Sequence, residues 1–563
     1  MLLLSPRPAR AQSNGGFQYS GITHVSWWFD EYTYATATAA RNELAATNAN
    51  WASVLVTWYQ STATSTTIAP VSNKTPTDAG IRQAIQELHA KGLKVMLKPH
   101  VDPSDGKWRG DIKPVDVDGW FASYTSFILN YAQMAEAQGV ELLCIGTELK
   151  TVSGVANKAR WEAVVSAIRG TYKGQLTYAA NATSPGDEFT SVSFWDKLDL
   201  IGLDAYFNLT NHNDPTLAEL VAAWQKNRNG EDTVAAVRNF HDSRQMPMIF
   251  TEIGYKSVAG ANQEPWNSGR QGAYDPTEQR NCMDAALTVW SQSSSWMKGF
   301  FWWAWSVPAP RADDTDYNPR GKPAGDLLRA WQAAPDARNA AVNAASYKAD
   351  AVAPGGLAGI FGTAFSTTTA AYTSFPLPVT LAGTSVTFNG VPAPLFLVSP
   401  QQINAQVPFG TAPGIAMAEV TSANGISLLQ VSVTPAAAGI FTTNGQGTGE
   451  AALLDAVTYA LVTSAQPIAA GRWIQIYCTG LGATARAVTS GAIPPSPAPE
   501  TTARPEVRID DKAVTVSWAG VAPGFVGLNA VNALLPAELA AGTHQLTIVA
   551  GGTVSNSVTF SVQ

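Results

Sequence analysis

Two glutamates, Glu148 and Glu252, each follow an apolar run, the first beginning at Leu142 and the second at Met248. A carboxylate in such a position is costly to bury unless it is paired or functional. Two carboxylates about 5–5.5 Å apart are the apparatus of a retaining glycosidase, in which one is the nucleophile and the other the acid/base. The alternative is that each glutamate only pairs with a local lysine, Lys150 or Lys256.

The elements that would position these carboxylates are eight apolar, β-branched or aromatic runs. Stretches with helical spacing separate most of the runs, at residues 77–92, 116–139, 157–172, 217–245 and 277–292. Continuous apolar strands that alternate with amphipathic helices are typical of a parallel sheet buried on both faces. The predicted strands are 22–28, 51–58, 94–100, 141–147, 176–181, 199–205, 247–253 and 299–305.

Eight such units in about 320 residues predict a (β/α)8 TIM barrel. An open doubly wound sheet is the alternative, but the first strand-to-helix turn lacks a glycine-rich phosphate loop. A barrel places chemistry at the carboxyl ends of its strands. Glu148 directly follows strand 4 and Glu252 lies near the end of strand 7, and we expect these two strands to face each other across the central cleft.

The other strand ends carry polar and aromatic side chains suited to binding a sugar. Tyr206 is placed to donate a hydrogen bond to Glu252, and Trp303 to form the floor under the sugar, because sugar faces stack on aromatic rings. Strand alternation predicts that Trp303 and Trp305 share one face and that Trp302 packs under the helices. The predicted substrate-binding residues are Trp28, Lys98, His100, Asn181, Tyr206 and Trp303; Asp102, Trp58 and Trp108 are further candidates.

The motifs starting at Lys98, Gly146, Asp204, Thr251 and Phe301 together resemble those of glycoside hydrolase family 113, in clan A. The resemblance covers roughly residues 20–332, and the characterised members of that family are β-mannanases. It implies that Glu148 is the acid/base and Glu252 the nucleophile of a retaining endo-β-1,4-mannanase. One departure is Thr147, because the clan usually has an asparagine there to hold the sugar 2-hydroxyl.

Alternative functions stay open at this point. The same mechanism would serve another β-glycan, such as a glucan, xylan or galactan. A further alternative is a surface protein that binds glycan without cleaving it, although a binding module has no need of an opposed carboxylate pair. We expect a polysaccharide substrate, no cofactor and no metal, since no second histidine stands at a workable spacing from His100.

Composition excludes several classes of protein. The formal charge is −7, with no basic cluster, which argues against nucleic-acid binding. No window approaches the roughly 18 apolar residues of a membrane span. The three cysteines lie too far apart in sequence for a disulfide scaffold or a structural zinc site.

The chain changes character near residue 345. Sixteen of the 18 tryptophans lie at or before Trp331, and the later sequence has short alternating runs separated by turn signals such as Asn389-Gly390. This pattern predicts antiparallel β-sandwiches of immunoglobulin type. The region also resembles a domain found at the C-terminus of large secreted proteins of soil bacteria.

The predicted organisation has five parts, and we expect a secreted or cell-surface protein. The small-x-small sequence Ala9-Arg10-Ala11 has the form of a signal-peptidase site. The parts are a residual export signal or disordered tail (1–12), the glycosidase barrel (13–335), a linker (336–347) and two β-sandwich modules (348–440 and 441–563).

Overall fold

The computed structural model describes residues 17–332 and 340–563. The chain divides into two compact units, one ending at Ala334 and the other beginning at Pro335. The predicted export signal or tail (1–12) lies outside the described residues. Within the described residues, no helix has both the length and the apolar character needed to span a membrane.

The first unit is a closed barrel of eight parallel strands, in which each strand pairs with the next and β8 pairs with β1. Every residue of β1 and of β4 is buried, as expected for strands covered on both faces. The predicted (β/α)8 fold is confirmed. The strands are β1 Tyr19–Val25, β2 Trp51–Gln60, β3 Lys94–Pro103, β4 Leu142–Thr147, β5 Gln175–Ala182, β6 Leu200–Ala205, β7 Met248–Ile253 and β8 Met297–Ser306.

Helices connect the strands, and their ends follow local capping chemistry. The side chain of Thr77 accepts a hydrogen bond from the Gly80 N–H at the start of the second helix. Gly139 ends the third helix with a φ of 66°, a left-handed conformation that suits glycine. The helices are α1 Ala35–Ala45, α2 Asp78–Ala90, α3 Val117–Gln138, α4 Lys158–Thr171, α5 Leu217–Ala223, α6 Thr233–Arg244, α7 Pro276–Ser291 and α8 Pro323–Gln332.

Two sequence expectations for the barrel need correction. The predicted helix 217–245 is two helices, because the Asn227 side chain accepts hydrogen bonds from the Asn229 and Glu231 N–H groups and Gly230 adopts a φ of 80°. The first strand ends at Val25 instead of residue 28, so Trp28 lies in the loop that follows β1.

The second unit is built of antiparallel strands, most of them short. Within the described residues they form four five-stranded sheets. The strands are β9 Ala340–Asn343, β10 Leu357–Phe361, β11 Ala370–Ala371, β12 Thr380–Leu381, β13 Thr384–Phe388, β14 Val391–Pro392, β15 Leu395–Val398, β16 Gln402–Gln406, β17 Gly414–Ser422, β18 Gly425–Val433, β19 Gly439–Ile440, β20 Leu453–Asp455, β21 Trp473–Thr479, β22 Glu506–Ile509, β23 Lys512–Val514, β24 Val516–Val521, β25 Asn529–Leu534, β26 Gly542–Ala550, β27 Thr553–Val554 and β28 Val558–Val562.

Two hydrophobic cores hold these sheets together in pairs. One core joins the sheet that contains β10 and β16 to the sheet that contains β13 and β17. The other joins the sheet of β21 and β25 to that of β22 and β26. Residues 336–339 of the predicted linker lie outside the described residues, whereas Ala340–Asn343 form β9 and pair with β10.

Candidate active site

Glu252 lies at the carboxyl end of β7 and is only 5% exposed. Lys98, on β3, donates to its Oε1 at 2.5 Å. Tyr206, which follows β6, donates its hydroxyl proton to Oε2 at 2.8 Å, so the hydrogen bond expected from the sequence is present. Parallel strands bring these three residues together because their carboxyl ends meet at one rim of the barrel.

Lys98 is fully buried, and three contacts satisfy its ammonium group. Besides Glu252, it donates to both carboxylate oxygens of Asp204, at 2.9 and 3.1 Å. Burial disfavours the charged ammonium, but the Asp204 and Glu252 carboxylates outweigh this and raise the pKa of Lys98 above its ordinary value. Lys98 was predicted to bind a sugar hydroxyl. Because its three donors are already used, it orients Glu252 instead.

Glu148 directly follows β4 and adopts a φ of +51°. Its backbone N–H donates to the Ala179 carbonyl on β5 at 2.8 Å. Its side chain accepts hydrogen bonds from Asn181 Nδ2 at 2.9 Å and from Trp108 Nε1 at 3.2 Å. Asn181, predicted to bind substrate directly, therefore contacts Glu148.

Arg109 is a residue of this site that the sequence did not reveal. Its Nε donates to Asp102 at 2.8 Å, and one of its terminal nitrogens lies 3.7 Å from Glu148 Oε2. It lies in the short 3₁₀ helix Arg109–Asp111 in the loop after β3, where no strand pattern marks a site. The acidic Asp102 at the end of β3, which needs a cation if buried, was the available signal.

His100 is 2% exposed and points toward Glu252, with 3.8 Å between its Nε2 and Glu252 Oε1. Burial, together with the charges of Arg109 and Lys98, lowers the pKa of His100 well below its usual value, so the imidazole is neutral. Its Nε2 atom has no hydrogen-bond partner among the described residues.

The aromatic residues divide between the rim and the packing layer. Trp303 is half-buried, and its ring lies 6.1 Å from that of Trp27, an exposed residue that was not among the predicted site residues. Trp28 is 55% exposed and Trp108 is 39% exposed. Trp58 instead donates to the Tyr131 hydroxyl on α3, which makes it a packing residue.

Trp305 does not share a face with Trp303. It is buried, and its Nε1 donates to the Ala40 carbonyl on α1. The pairing of β8 with β1 shifts between Trp302 and Trp305, so an extra residue on β8 interrupts the alternation of side chains. Trp302 is 1% exposed and packs in the core, as expected.

The two lysines that offered a purely structural explanation for the glutamates are engaged elsewhere. Lys150 donates to Asp187, and Lys256 donates to the carbonyls of Ser268 and Arg270. Two glutamates with different polar surroundings therefore lie at the strand ends of one barrel. Such an arrangement is that of the barrel glycosidases, whose chemistry requires two carboxylates.

Comparison with known proteins identifies the family. The model of glycoside hydrolase family 113 matches residues 25–322, which is more than half of the chain. The chain belongs to this family and is a glycoside hydrolase. A search among curated proteins found no match.

The chain is similar to solved structures of the same family. One, a family 113 β-1,4-mannanase, is 24% identical with a TM-score of 0.50, and the match covers 56% of this chain and 98% of that chain. Another is a family 113 β-mannanase from Alicyclobacillus acidocaldarius in complex with ManMIm, 28% identical with a TM-score of 0.49, covering 56% and 97%.

Proposed function

We propose that this protein is a retaining endo-β-1,4-mannanase, with Glu252 as the nucleophile and Glu148 as the acid/base. The observation that carries the assignment is the hydrogen bond from Lys98 to Glu252. Together with the Tyr206 hydroxyl, this ammonium holds both carboxylate oxygens of Glu252 in place at the strand end, as a nucleophile requires. Glu148 accepts its hydrogen bonds from the neutral donors Asn181 and Trp108, and the Arg109 guanidinium lies farther away, 3.7 Å from its Oε2, which suits a group that cycles between acid and base.

In the first step, a Glu252 carboxylate oxygen attacks the anomeric carbon and forms a covalent ester. The glycosidic C–O bond breaks, and its electron pair goes to the leaving oxygen, which takes the proton of Glu148. In the second step, Glu148 accepts a proton from water while the water oxygen attacks the same carbon. The ester bond breaks and the Glu252 carboxylate is restored, so the product keeps the β configuration.

Sugar recognition is proposed for the remaining rim residues. His100 lies beside the nucleophile with Nε2 unpaired, so it is placed to hold a hydroxyl of the sugar under attack. We assign to it the contact with the sugar 2-hydroxyl that an asparagine usually makes in this clan, since Thr147 stands in place of that asparagine here. Trp303 is the proposed floor of that sugar, and Trp28 and Trp108 are proposed to contact more distant sugars through their exposed rings.

The proposal is tested by incubating the whole chain with β-mannan and following reducing ends. We expect cleavage at internal linkages of the mannan. The first product should have the β configuration, which proton NMR can observe before mutarotation. Glu252→Gln should lower the rate by more than about 1,000-fold, because no nucleophile remains. Glu162→Gln, on the partly exposed face of α4, is the matched control and should behave as wild type.

Two results would contradict the assignment: a first product in the α configuration, or unchanged hydrolysis by Glu252→Gln. Equal or faster cleavage of xylan, β-glucan or galactan would leave the proposed mechanism standing but would assign a different substrate. An axial or equatorial 2-hydroxyl is distinguished by one or two side chains, and the same carboxylates would serve either sugar.

A further inference from the structure

Glu188 is a buried carboxylate outside the catalytic pair. It begins the short 3₁₀ helix Glu188–Thr190 after β5 and is 1% exposed. Its Oε1 accepts from the Tyr178 hydroxyl at 2.6 Å and from the Ser153 hydroxyl at 2.8 Å, and its Oε2 accepts from the Asn181 N–H at 2.8 Å. Burial raises the pKa of Glu188 to about 7, although these three hydrogen bonds act to lower it.

Each of the three donors is connected to Glu148. Asn181 donates its side-chain amide to Glu148 Oε1 at 2.9 Å. The Tyr178 hydroxyl accepts from the N–H of Leu149, the next residue after Glu148, at 2.8 Å. Ser153 closes the turn after Glu148 through its N–H to the Leu149 carbonyl. Through these donors, Glu188 is connected to the side chain of Glu148, to the peptide that follows Glu148 and to the turn after it.

The backbone of Glu148 needs such support. Its φ of +51° lies in the left-handed region, which residues other than glycine rarely occupy. A residue persists there only when the surrounding structure leaves it no alternative. A small rotation of this backbone would move the carboxyl group away from the leaving oxygen, and proton transfer depends steeply on that geometry.

We propose that Glu188 is a positioning residue that fixes Glu148 for proton transfer to the leaving group. This inference rests on the proposed role of Glu148 as the acid/base. Glu188 itself is 1% exposed, so it acts through its hydrogen-bond partners and not on the sugar directly. Its removal should therefore weaken proton donation and leave the attack by Glu252 intact.

Leaving-group dependence separates these two effects. Aryl β-mannobiosides from phenyl to dinitrophenyl differ in how much they need a proton, because dinitrophenolate leaves without one. For Glu188→Gln, which replaces one acceptor oxygen by a donor, we expect kcat/KM to fall at least about tenfold with the phenyl substrate. With the dinitrophenyl substrate the loss should stay below about threefold, because nucleophilic attack is intact.

Glu278→Gln is the matched control. Glu278 is also buried and also accepts backbone N–H groups, from Gly260 and Asn262, but these lie in the loop after β7. Any loss of activity in this variant should be equal across the series. Tyr178→Phe removes one connection without altering a charge, and it should show a smaller version of the Glu188→Gln pattern. It also provides the test if Glu188→Gln fails to fold.

The outcomes distinguish the two proposals. An equal loss across the series in both Glu188→Gln and Tyr178→Phe would overturn the positioning role while leaving the proposed function intact. Failure of the wild-type chain to cleave any aryl mannobioside would overturn the proposed function and this inference with it. The inference is supported if kcat/KM depends more steeply on the leaving group in Glu188→Gln and Tyr178→Phe than in the wild type, and if Glu278→Gln shows no such change.

Discussion

At the scale of single residues, the two glutamates differ in the charges that surround them. Glu252 shares one ammonium, that of Lys98, with the buried carboxylate of Asp204. Burial and the neighbouring Glu252 charge raise the pKa of Asp204, and Lys98 opposes this shift. The lysine therefore allows two carboxylates to lie close together at the bottom of the site.

Replacing Lys98 by methionine tests this arrangement. Without the cation, two buried carboxylates face each other and the pair favours uptake of a proton. We expect kcat/KM to fall at least about 100-fold near neutral pH, and the acid limb of its pH profile to move to higher pH. The measurement is a pH–rate profile on a soluble manno-oligosaccharide.

Lys98→Arg is the control, since it keeps the charge and should leave the acid limb in place. Breaking a buried ion pair costs roughly 3–5 kcal/mol, so thermal unfolding of both variants is followed as well. The pKa of Lys98 is raised in the folded protein. The contribution of its charge to the free energy of unfolding is therefore complete at pH values below the ordinary lysine pKa of about 10.4, and it is lost only as the pH rises above that value. An acid limb that does not move in Lys98→Met would show that the cation does not offset the repulsion between the Asp204 and Glu252 carboxylates.

The separate roles of the two glutamates can be resolved by rescue with azide. In Glu252→Ala, azide should enter from the face that the nucleophile has left and give an α-glycosyl azide. In Glu148→Ala, the covalent ester still forms with a dinitrophenyl substrate, and azide should then give the β product. Proton NMR of the products distinguishes them. The reverse pattern of products would mean that Glu148 is the nucleophile and Glu252 the acid/base.

The sequence predicted the site residues at the strand ends. It did not predict how deeply a side chain is buried in the barrel, nor the contacts made by residues in loops. The hydrogen bond from Tyr206 to Glu252 was foreseen, because both residues end apolar runs on neighbouring strands. The burial of Lys98 was not, since alternation gives the face of a strand but not the depth of a side chain in the barrel. Arg109 and Glu188 lie on short 3₁₀ helices, which leave no periodic pattern.

At the scale of elements, the closure of the barrel between β8 and β1 limits what the sequence could predict. Eight strands and most helices follow from apolar periodicity. The extra residue on β8 does not, because a bulge changes the register without changing composition. It reverses the predicted side of Trp305.

Gly299 is essential to this closure. Its φ is 145°, and a Cβ placed there would lie 1.9 Å from the Tyr19 carbonyl oxygen on β1. The obstacle is backbone in a paired strand, so Gly299→Ala should force β8 and β1 apart. We expect a loss of several kcal/mol, at least about 3, in the free energy of unfolding of the barrel, measured by urea denaturation.

Gly92→Ala is the matched control for this substitution. Gly92 has a φ of 80°, and a Cβ there would meet no atom within 4 Å. Only the unfavourable backbone conformation contributes, so the loss should be about 1 kcal/mol. Equal losses in the two variants would mean that the contact with Tyr19 does not matter.

At the scale of the whole molecule, the chain holds separate hydrophobic cores in its two units. The strand-end glutamates lie in the first unit, and the second contributes none of the residues assigned to the site. The position of β9 refines where the second unit begins. The sequence predicted a linker over 336–347, whereas Ala341 and Val342 are buried in β9, against β10.

The fragment 335–563 should therefore be more stable than the fragment 346–563. The shorter one loses β9 and also Asn343, whose side chain donates to the Ala437 carbonyl and accepts from the Ala345 N–H. Removing an edge strand with two buried apolar side chains should lower the free energy of unfolding by about 2–4 kcal/mol. Urea denaturation followed by circular dichroism measures the difference, and Asn343→Ala in the longer fragment should lose about 1 kcal/mol. Equal stability of the two fragments would mean that β9 adds nothing measurable to the stability of the second unit.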